Sequence, residues 1–417
     1  MSEVKIPEGY KQTEVGVIPE DWEVTTIGSF APLQRGFDLP TTKVEAGYYP
    51  VVYSNGIVRN HKTFQVRGAG VVTGRSGTIG KVHYIENDFW PHNTTLWVTS
   101  FGNAHVKFVY YLFRYIGFER FKSGSGVPTL NRNDAHSFKI TVPTNIKEQT
   151  AIATALSDVD NLIQSLEKLI AKKKAIKTGT MQQLLTGKTR LPEFATRKDG
   201  SLKGFKQTEL GMIPEDWDVI SLGTVSNFIN GRAYSIHEWE NIGIPVIRLQ
   251  NLTGRGETYY YSNLKLPEKQ YCENGDLLFM WSATFGPVIW KGPKAIYHYH
   301  IWKVECNSGY NQTYLFHLLS DMTEKLKQGS SSGGTMLHIT KQKMESIKAA
   351  FPSEKEQTAI ATIIFDMDIE IQALQDRLEK TKQIKQGMMQ QLLTGKVRLV
   401  NHDDEQNTNM SAVKSNH

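Results

Sequence analysis

The chain is written twice. GYKQTEVGVIPEDWEVTTIG at Gly9 to Gly28 returns as GFKQTELGMIPEDWDVISLG at Gly204 to Gly223. KEQTAIAT and MQQLLTGK, at Lys147 to Thr154 and Met181 to Lys188, return at Lys355 to Thr362 and Met389 to Lys396. The first block recurs after 195 positions and the later blocks after 208, so copy two is 13 residues longer between them. What lies between the matching blocks barely matches. A frame held constant around two divergent inserts presents two different surfaces in one geometry, which is a device for specificity.

Length and composition limit the options. The 417 residues suffice for two or three domains that each bury a core. The hydrophobic share is 39%, with no run near the ~20 apolar residues needed to span a bilayer. MSEVKIPEGYKQTE carries no basic-then-apolar signal segment, so the expected location is cytoplasmic, with no membrane partner. Cys272 and Cys306 are the only cysteines, too few for a disulfide framework or a cysteine-rich zinc site. A net charge of +6 permits a polyanionic partner without requiring one.

Two segments read as long helices. Between Glu148 and Thr186 there is no proline, and Ile152, Leu156, Val159, Ile163, Leu166 and Ile170 recur at alternating steps of four and three. This is a coiled-coil seam, and Ile360, Ile364, Met367, Ile371, Leu374 and Leu378 repeat it in copy two. Gly187 and Gly395 stand where a C-terminal capping glycine belongs. Each helix is acidic early (Asp158, Asp160, Glu167; Asp366, Asp368, Glu370) and basic late (Lys172, Lys173, Lys174, Lys177; Lys380, Lys382, Lys385). The charges therefore favour an antiparallel pair related by a pseudo-twofold axis.

The expected fold class is α+β: two mixed α/β domains joined by two long antiparallel coiled-coil helices. The boundaries read as an N-terminal segment 1–18 closing the repeat, a first domain 19–145, a helix 146–190, a connector 191–213, a second domain 214–352, a helix 353–398 and a disordered tail 399–417. The inserts are rich in glycine, aromatic and β-branched residues, with one helix-like stretch each, Val106 to Phe121 and Tyr310 to Leu326. VVTGRSGTIGKV at Val71 to Val82 aligns with LLFMWSATFGPV at Leu277 to Val288, so that Thr78 and Gly80 match Thr284 and Gly286 while Arg75 becomes Trp281 and Lys81 becomes Pro287. Seventeen residues past Arg75 and Trp281, His92 and His298 also correspond. Trp22 and Trp217, in identical EDW contexts, read as packing anchors.

An IPEDW entry, a variable domain, a glycine-rich loop (SGSGVPTLN, Ser123 to Asn131), a KEQ-x-AI helix start and an LLTGK-x-RL helix exit occur in this order twice. The set resembles the specificity subunit of type I restriction-modification systems over nearly the whole chain. The resemblance implies two target recognition domains, each reading one half of a bipartite site in double-stranded DNA, with the helices setting the spacer. It implies two methyltransferase subunits and further restriction subunits as partners. S-adenosylmethionine, ATP and magnesium would then be bound by those partners and none by this chain. The LLTGK exits would belong to the surface that receives partners, leaving Ile176, Leu184 and Leu185 exposed. One departure stands out: QGSSSGGTMLHIT at Gln328 to Thr340 is longer than its counterpart loop and lacks the Pro and Asn.

On this reading the DNA-binding candidates in the first domain are Ser54, Asn55, Arg75, Ser76, Thr78, Lys81, His92, Asn93, Ser125 and Thr129. Those in the second are Arg248, Gln250, Asn251, Trp281, Ser282, Thr284, His298, His300 and Ser331. Arg75 suits guanine N7 and O6, Asn55 or Asn93 suits adenine, and Lys81 suits a phosphate. Trp281 fits either an apolar contact with DNA or core packing. Taken singly, turn chemistry or solvated surface explains each of these; as groups on aligned hairpins they point to one surface.

Catalytic patterns are thin. TGRSGTIGK has five residues between Gly74 and Gly80 where a phosphate loop has four, and Val82 stands where a magnesium-binding hydroxyl belongs. LLTGKT lacks the upstream glycine, His237-Glu238 lacks a second histidine, and no NPPY-like tetrapeptide of an adenine methyltransferase occurs. The chain reads as a recognition subunit without catalytic or metal-binding residues. Two alternatives remain: a stand-alone bipartite DNA-binding protein (a repressor or an anti-restriction factor), and a nuclease with an unrecognised centre.

Overall fold

The computed structural model describes residues 6–124, 128–256, 258–282, 284–329 and 338–399. The tail expected to be disordered falls, from residue 400 onward, outside the described residues. The chain folds into two compact units, one of residues up to Lys168 together with those from Asp376 onward, the other of Leu169–Gln375. Each unit therefore holds one insert and half of each long helix.

The long helices run over Ile146–Leu184 and Glu354–Leu392. Asn145 caps the first, its Oδ1 accepting from Lys147 N at 2.8 Å. Ser353 caps the second, its carbonyl accepting from Gln357 N at 2.9 Å. Both helices continue for 39 residues with no proline to break them. They stop at Gly187 and Gly395, with φ of 68° and 71°, a left-handed cap that glycine adopts without strain. A Cβ there would also sit 2.5 Å from Pro214 Cγ or 2.7 Å from Pro19 Cδ, so the cap glycines let the helix exits dock on the IPEDW segments.

Within each unit the helices pair antiparallel, as their charges predict. In the first unit Lys385 meets Asp160 at 2.5 Å and Lys382 meets Glu167 at 3.6 Å. In the second, Lys177 meets Asp368 at 2.5 Å and Lys173 meets Glu370 at 2.6 Å. Ile152, Leu156, Leu166, Ile170, Ile360, Ile364, Ile371 and Leu378 of the seam are buried.

The frame motifs close one clamp in each unit. Trp22 and Trp217 are 1% and 0% exposed, and each donates its Nε1 to a buried carboxylate, Glu148 or Glu356, at 3.2 Å. Arg398 completes the first clamp, with Nε to Glu148 Oε1 at 2.5 Å and Nη2 to Asp21 Oδ2 at 2.6 Å. Arg190 completes the second, with Nε to Glu356 Oε1 at 2.6 Å and Nη1 to Asp216 Oδ1 at 2.8 Å. The neighbouring glutamine staples the insert to the helix: Gln149 accepts from His105 N at 2.8 Å and donates to Pro143 O at 2.9 Å. Gln357 repeats this with Asn311 N and Pro352 O, both at 2.9 Å. The Asp and Trp of EDW, the Glu and Gln of KEQ and the Arg of the helix exit thus each have an internal partner in both units.

One expectation is corrected here. Leu184 and Leu185 are 5% and 3% exposed and belong to the second unit's core, packed with Trp217 and Leu222; only Ile176 is open, at 45%. Leu392 and Leu393 do the same in the first unit. The leucines of both exits therefore fill each unit's own core.

Each insert carries two larger sheets beside short two-stranded ones. In the first, Leu33–Arg35, Thr95–Val98, Gly70–Gly74 and Val82–Ile85 form a four-stranded antiparallel sheet covered by the helix Val106–Ile116. The expected helix-like stretch to Phe121 ends early, because Gly117 turns the backbone to φ 71° and a 3-10 turn follows. A second sheet orders Gly56–His61, Tyr49–Tyr53 and Trp90–Pro91, the last two running parallel. The second insert repeats this plan: Ser226–Asn230, Ile301–Cys306, Leu277–Ser282 and Thr284–Ile289, covered by Gln312–Gly329. Its other sheet orders Tyr260–Ser262, Ile244–Ile247, Ala295–Tyr297 and Tyr271–Cys272. Among the described residues no helix is long and apolar enough to cross a membrane.

Candidate nucleic-acid interface

The two sheets of each insert meet where a strand of one hands over to a turn of the other. In the first insert, His92 N donates to Val52 O at 2.9 Å, tying the end of Trp90–Pro91 to the end of Tyr49–Tyr53. Arg75 N and Ser76 N both donate to Thr94 O, at 2.8 and 3.1 Å, and Leu130 N donates to Arg75 O at 2.8 Å. Thr94 Oγ1 lies 3.1 Å from His92 Nδ1 and accepts from Ser54 N at 3.4 Å. These bonds gather Ser54, Arg75, Ser76, His92, Asn93 and Thr129 onto one edge, with Ser76 bridging Thr129.

Local chemistry explains why this loop folds so. Gly77 and Gly80 have φ of 79° and 85°, and Gly80 packs so closely on Glu119 that a Cβ would lie 2.4 Å from its Cγ. Thr78 folds over Gly74, its carbonyl oxygen lying where a Gly74 Cβ would stand. Lys81 and Asn55 are exposed, and Ser54 is buried. Asn93 donates its amide to Asp38, which also pairs with Arg35.

The second insert reproduces the skeleton with other side chains. His298 N donates to Ile247 O at 2.9 Å, Trp281 N to His300 O at 3.2 Å, and Ile339 N to Trp281 O at 3.3 Å. Ser282 bridges His338. Arg75 and Trp281, Ser76 and Ser282, and His92 and His298 therefore occupy equivalent backbone sites, as the alignment predicts. The hairpin differs: strand pairing continues to Ser282 opposite Thr284, where the first insert opens a seven-residue loop from Arg75 to Lys81. Gly286 is kept, with φ of 142° and Thr323 Cγ2 3.2 Å from its would-be Cβ, because the covering helix comes close there.

Trp281 is half-buried and donates Nε1 to Tyr299 O at 2.8 Å. Its ring stacks on Trp302 at 5.8 Å and touches His300 and His338. Asn251 is engaged in its own turn: Oδ1 accepts from Arg248 N at 2.9 Å, and Nδ2 donates to Gly256 O and Thr258 O at 3.1 Å each. Gln250 lies on the same short helical turn, Leu249–Leu252. Ser125 and Ser331 lie outside the described residues.

Sequence reasoning missed an aromatic bed in the second insert. Trp239 and Tyr234 lie nearly parallel to His298, at 6.3 and 6.5 Å, and the Arg248 guanidinium covers Tyr260 at 4.3 Å. Tyr234, Trp239 and Tyr260 come from a stretch with no matching segment in copy one, so the repeat offers no signal there. Burial, then the nearby His300 and Arg248, pulls His298 down to about 4, so it is a neutral ring near neutral pH. Burial likewise lowers His92.

The skeleton is shared with known proteins. The crystal structure of the type I restriction-modification system S subunit from M. genitalium superposes with a TM-score of 0.59 over 93% of this chain and 98% of that one, at 16% identity. Among relatives, the putative type I restriction enzyme MjaX specificity subunit of Methanocaldococcus jannaschii is 28% identical over 94% of this chain and 97% of its own length. The MjaVIII specificity subunit of the same organism is 26% identical over the same shares. The model of the type I restriction modification DNA specificity domain matches twice, at residues 19–177 and 214–385. Those two stretches span most of the sequence, and the chain belongs to the type I restriction-modification DNA specificity family.

Proposed function

We propose that this chain gives a type I restriction-modification assembly its DNA sequence specificity, each insert reading one half of a bipartite site. As a family member it is a recognition subunit rather than a catalyst. The observation that carries the reading is the contrast between the clamps and the edges. Trp, Glu, Arg and Asp repeat in both clamps, whereas the equivalent edge sites hold Arg75 in one insert and Trp281 in the other. A frame conserved to the hydrogen bond around surfaces that differ in chemistry is what two readers of different bases require.

The partners on this reading are double-stranded DNA, two methyltransferase subunits and the restriction subunits. Methyl transfer and ATP-driven cleavage then belong to those subunits, with S-adenosylmethionine, ATP and magnesium. Within the candidate edge, Arg75, Ser76, His92 and Thr129 in the first insert and Trp281, Ser282, His298 and His300 in the second lie together. Thr78, Gly77 and Gly80 shape the loop of the first hairpin, while Gly286 in the second makes room for the covering helix. Lys81 and Asn55 are the exposed donors best disposed toward a phosphate or a groove edge. The boundaries 19–145 and 214–352 delimit the segments to be exchanged when one reader is replaced by another.

Co-expression with the methyltransferase subunit, in a host without adenine methylation, tests the reading. Long-read mapping should find one split motif, modified on both strands and absent without this chain. An active complex that leaves the genome unmodified would sink it and favour a stand-alone DNA-binding protein.

A further inference from the structure

The ends of the parallel strands hold a cation on an aromatic ring in both inserts, but the two residues have changed places. Hydrogen bonding sets the equivalence, since His92 N donates to Val52 O and His298 N to Ile247 O, both at 2.9 Å. Tyr53 and Arg248, the next residues, are therefore counterparts. On the adjacent antiparallel strand Arg59 pairs with Val51 and Tyr260 pairs with Val246, so Arg59 and Tyr260 are counterparts as well. In the first insert Arg59 lies 5.9 Å over Tyr53, whose ring packs 4.3 Å from His92. In the second Arg248 lies 4.3 Å over Tyr260 and 5.8 Å over Trp239, whose ring is stacked on His298. Tyrosine and arginine have been exchanged between two backbone sites, and the pair beside the histidine survives.

We propose, on the reading above that the inserts bind DNA, that this parked guanidinium is the guanine reader of each recognition domain, Arg248 in the second and Arg59 in the first. Tyr260 and Trp239 act as positioning residues for Arg248.

Several observations support this assignment. Among the described residues no carboxylate pairs with Arg59 or Arg248. Nearby Arg232, by contrast, also covers an aromatic ring, at 4.7 Å from Tyr234, but is neutralised by Glu238. Arg248 Nε is buried without a hydrogen-bond partner, so part of the fork is already desolvated and unfilled. Such a group costs free energy until acceptors arrive, and a ring face holds the guanidinium plane while leaving its edge donors free. Guanine N7 and O6 present two acceptors at the spacing of that fork in the major groove. Because the cation stands on different strands in the two inserts, it reaches different steps of the two half-sites.

The test uses the full-length chain in complex with its methyltransferase subunit, on duplexes carrying the motif found by methylome mapping. Each guanine is replaced in turn by 7-deazaguanine, which removes N7 and leaves pairing and phosphates intact. The wild-type complex should lose on the order of 10- to 100-fold in affinity at one guanine of each half. Arg248→Gln should abolish that penalty in one half only, binding natural and substituted duplexes equally there, and Arg59→Gln should do so in the other. Arg248→Lys, which keeps the charge and loses the fork, should behave like Arg248→Gln. Trp239→Leu should shrink the penalty and leave the other half untouched.

Wild-type binding that tolerates 7-deazaguanine at every guanine of a half overturns the proposal, whether or not the variants fold. So does an Arg248→Gln complex that keeps the wild-type penalty. A uniform loss on all duplexes with a shallower salt dependence also overturns it, assigning Arg248 to a phosphate. Failure to find any split motif would instead remove the underlying functional reading.

Discussion

Arg190 and Arg398 carry the most concentrated chemistry in the molecule. Burial opposes each charge, but the Glu356 and Asp216 carboxylates outweigh it at Arg190, and Glu148 and Asp21 do so at Arg398, raising both guanidinium pKa values. Burial also opposes the Asp216 charge, yet hydrogen bonds from Arg190 and Lys203 pull its carboxyl down to about 2. Removing the guanidinium strands a glutamate that is 2% exposed. Arg190→Ala should therefore destabilise the second unit by about 3–5 kcal/mol, read as a lowered urea midpoint, whereas Glu356→Gln, which leaves no buried anion, should cost less. His317 is a second such residue: it is buried, its Nε2 has no partner, and burial, then Lys177, pulls it down to about 4. The unfolded chain takes up a proton at the usual pKa near 6.5, while the folded one resists until about 4. Stability is thus present above pH 6.5 and drains away as pH falls toward 4, by up to about 3 kcal/mol from this residue. His317→Leu should flatten the dependence of the melting temperature on pH across that window. An unchanged slope would show that other groups set it. At this scale the tryptophans were legible because their context repeats; the arginines' partners, 250 and 166 positions away, were not.

Among the elements, the two long helices were the most readable, since periodicity, charge order and cap glycines agree. Their antiparallel pairing makes a charge-reversal prediction. Asp368→Lys places two cations together against Lys177 and should cost about 1 kcal/mol, regained when Lys177→Asp is added; additive effects would mean that the pair does not couple. Gly395→Ala imposes a left-handed φ on alanine and drives a methyl into Pro19, so the first unit should melt at lower temperature while the second is spared. The hairpins were half legible. Their alignment gave the right equivalences at Arg75 with Trp281 and His92 with His298, but on the returning strand it is one residue off, since Thr73 opposes Val82 while Phe279 opposes Pro287. The seven-residue loop in one and the continued strands in the other follow from what packs beneath, Glu119 against Gly80 and Thr323 against Gly286. The Tyr-rich stretch around Tyr260 carried no legible signal, because a ring waiting for a guanidinium from a neighbouring strand has the composition of any half-buried sheet.

For the whole molecule, the proposed function makes the frame and the inserts separable, which predicts the outcome of exchange. Replacing 214–352 by the equivalent segment of a relative, while keeping Trp217, Arg190 and Glu356, should change one half of the methylated motif and preserve the other. A change in both halves would show that the inserts read jointly. The buried LLTGK exits matter here too. Because Leu184 and Leu185 lie in the chain's own core, their retention says nothing for or against a partner. The sequence by itself determined the duplication, the two-insert plan, the antiparallel helices and the packing tryptophans. Each of these is written in spacing, which survives without knowledge of distant contacts. Tertiary structure alone decided that Arg190 and Arg398 close the clamps, that the helix exits are core, and that arginine and tyrosine trade places beside His92 and His298. Those outcomes depend on which side chains arrive from opposite ends of the chain, and burial and charge pairing are fixed only once they have met.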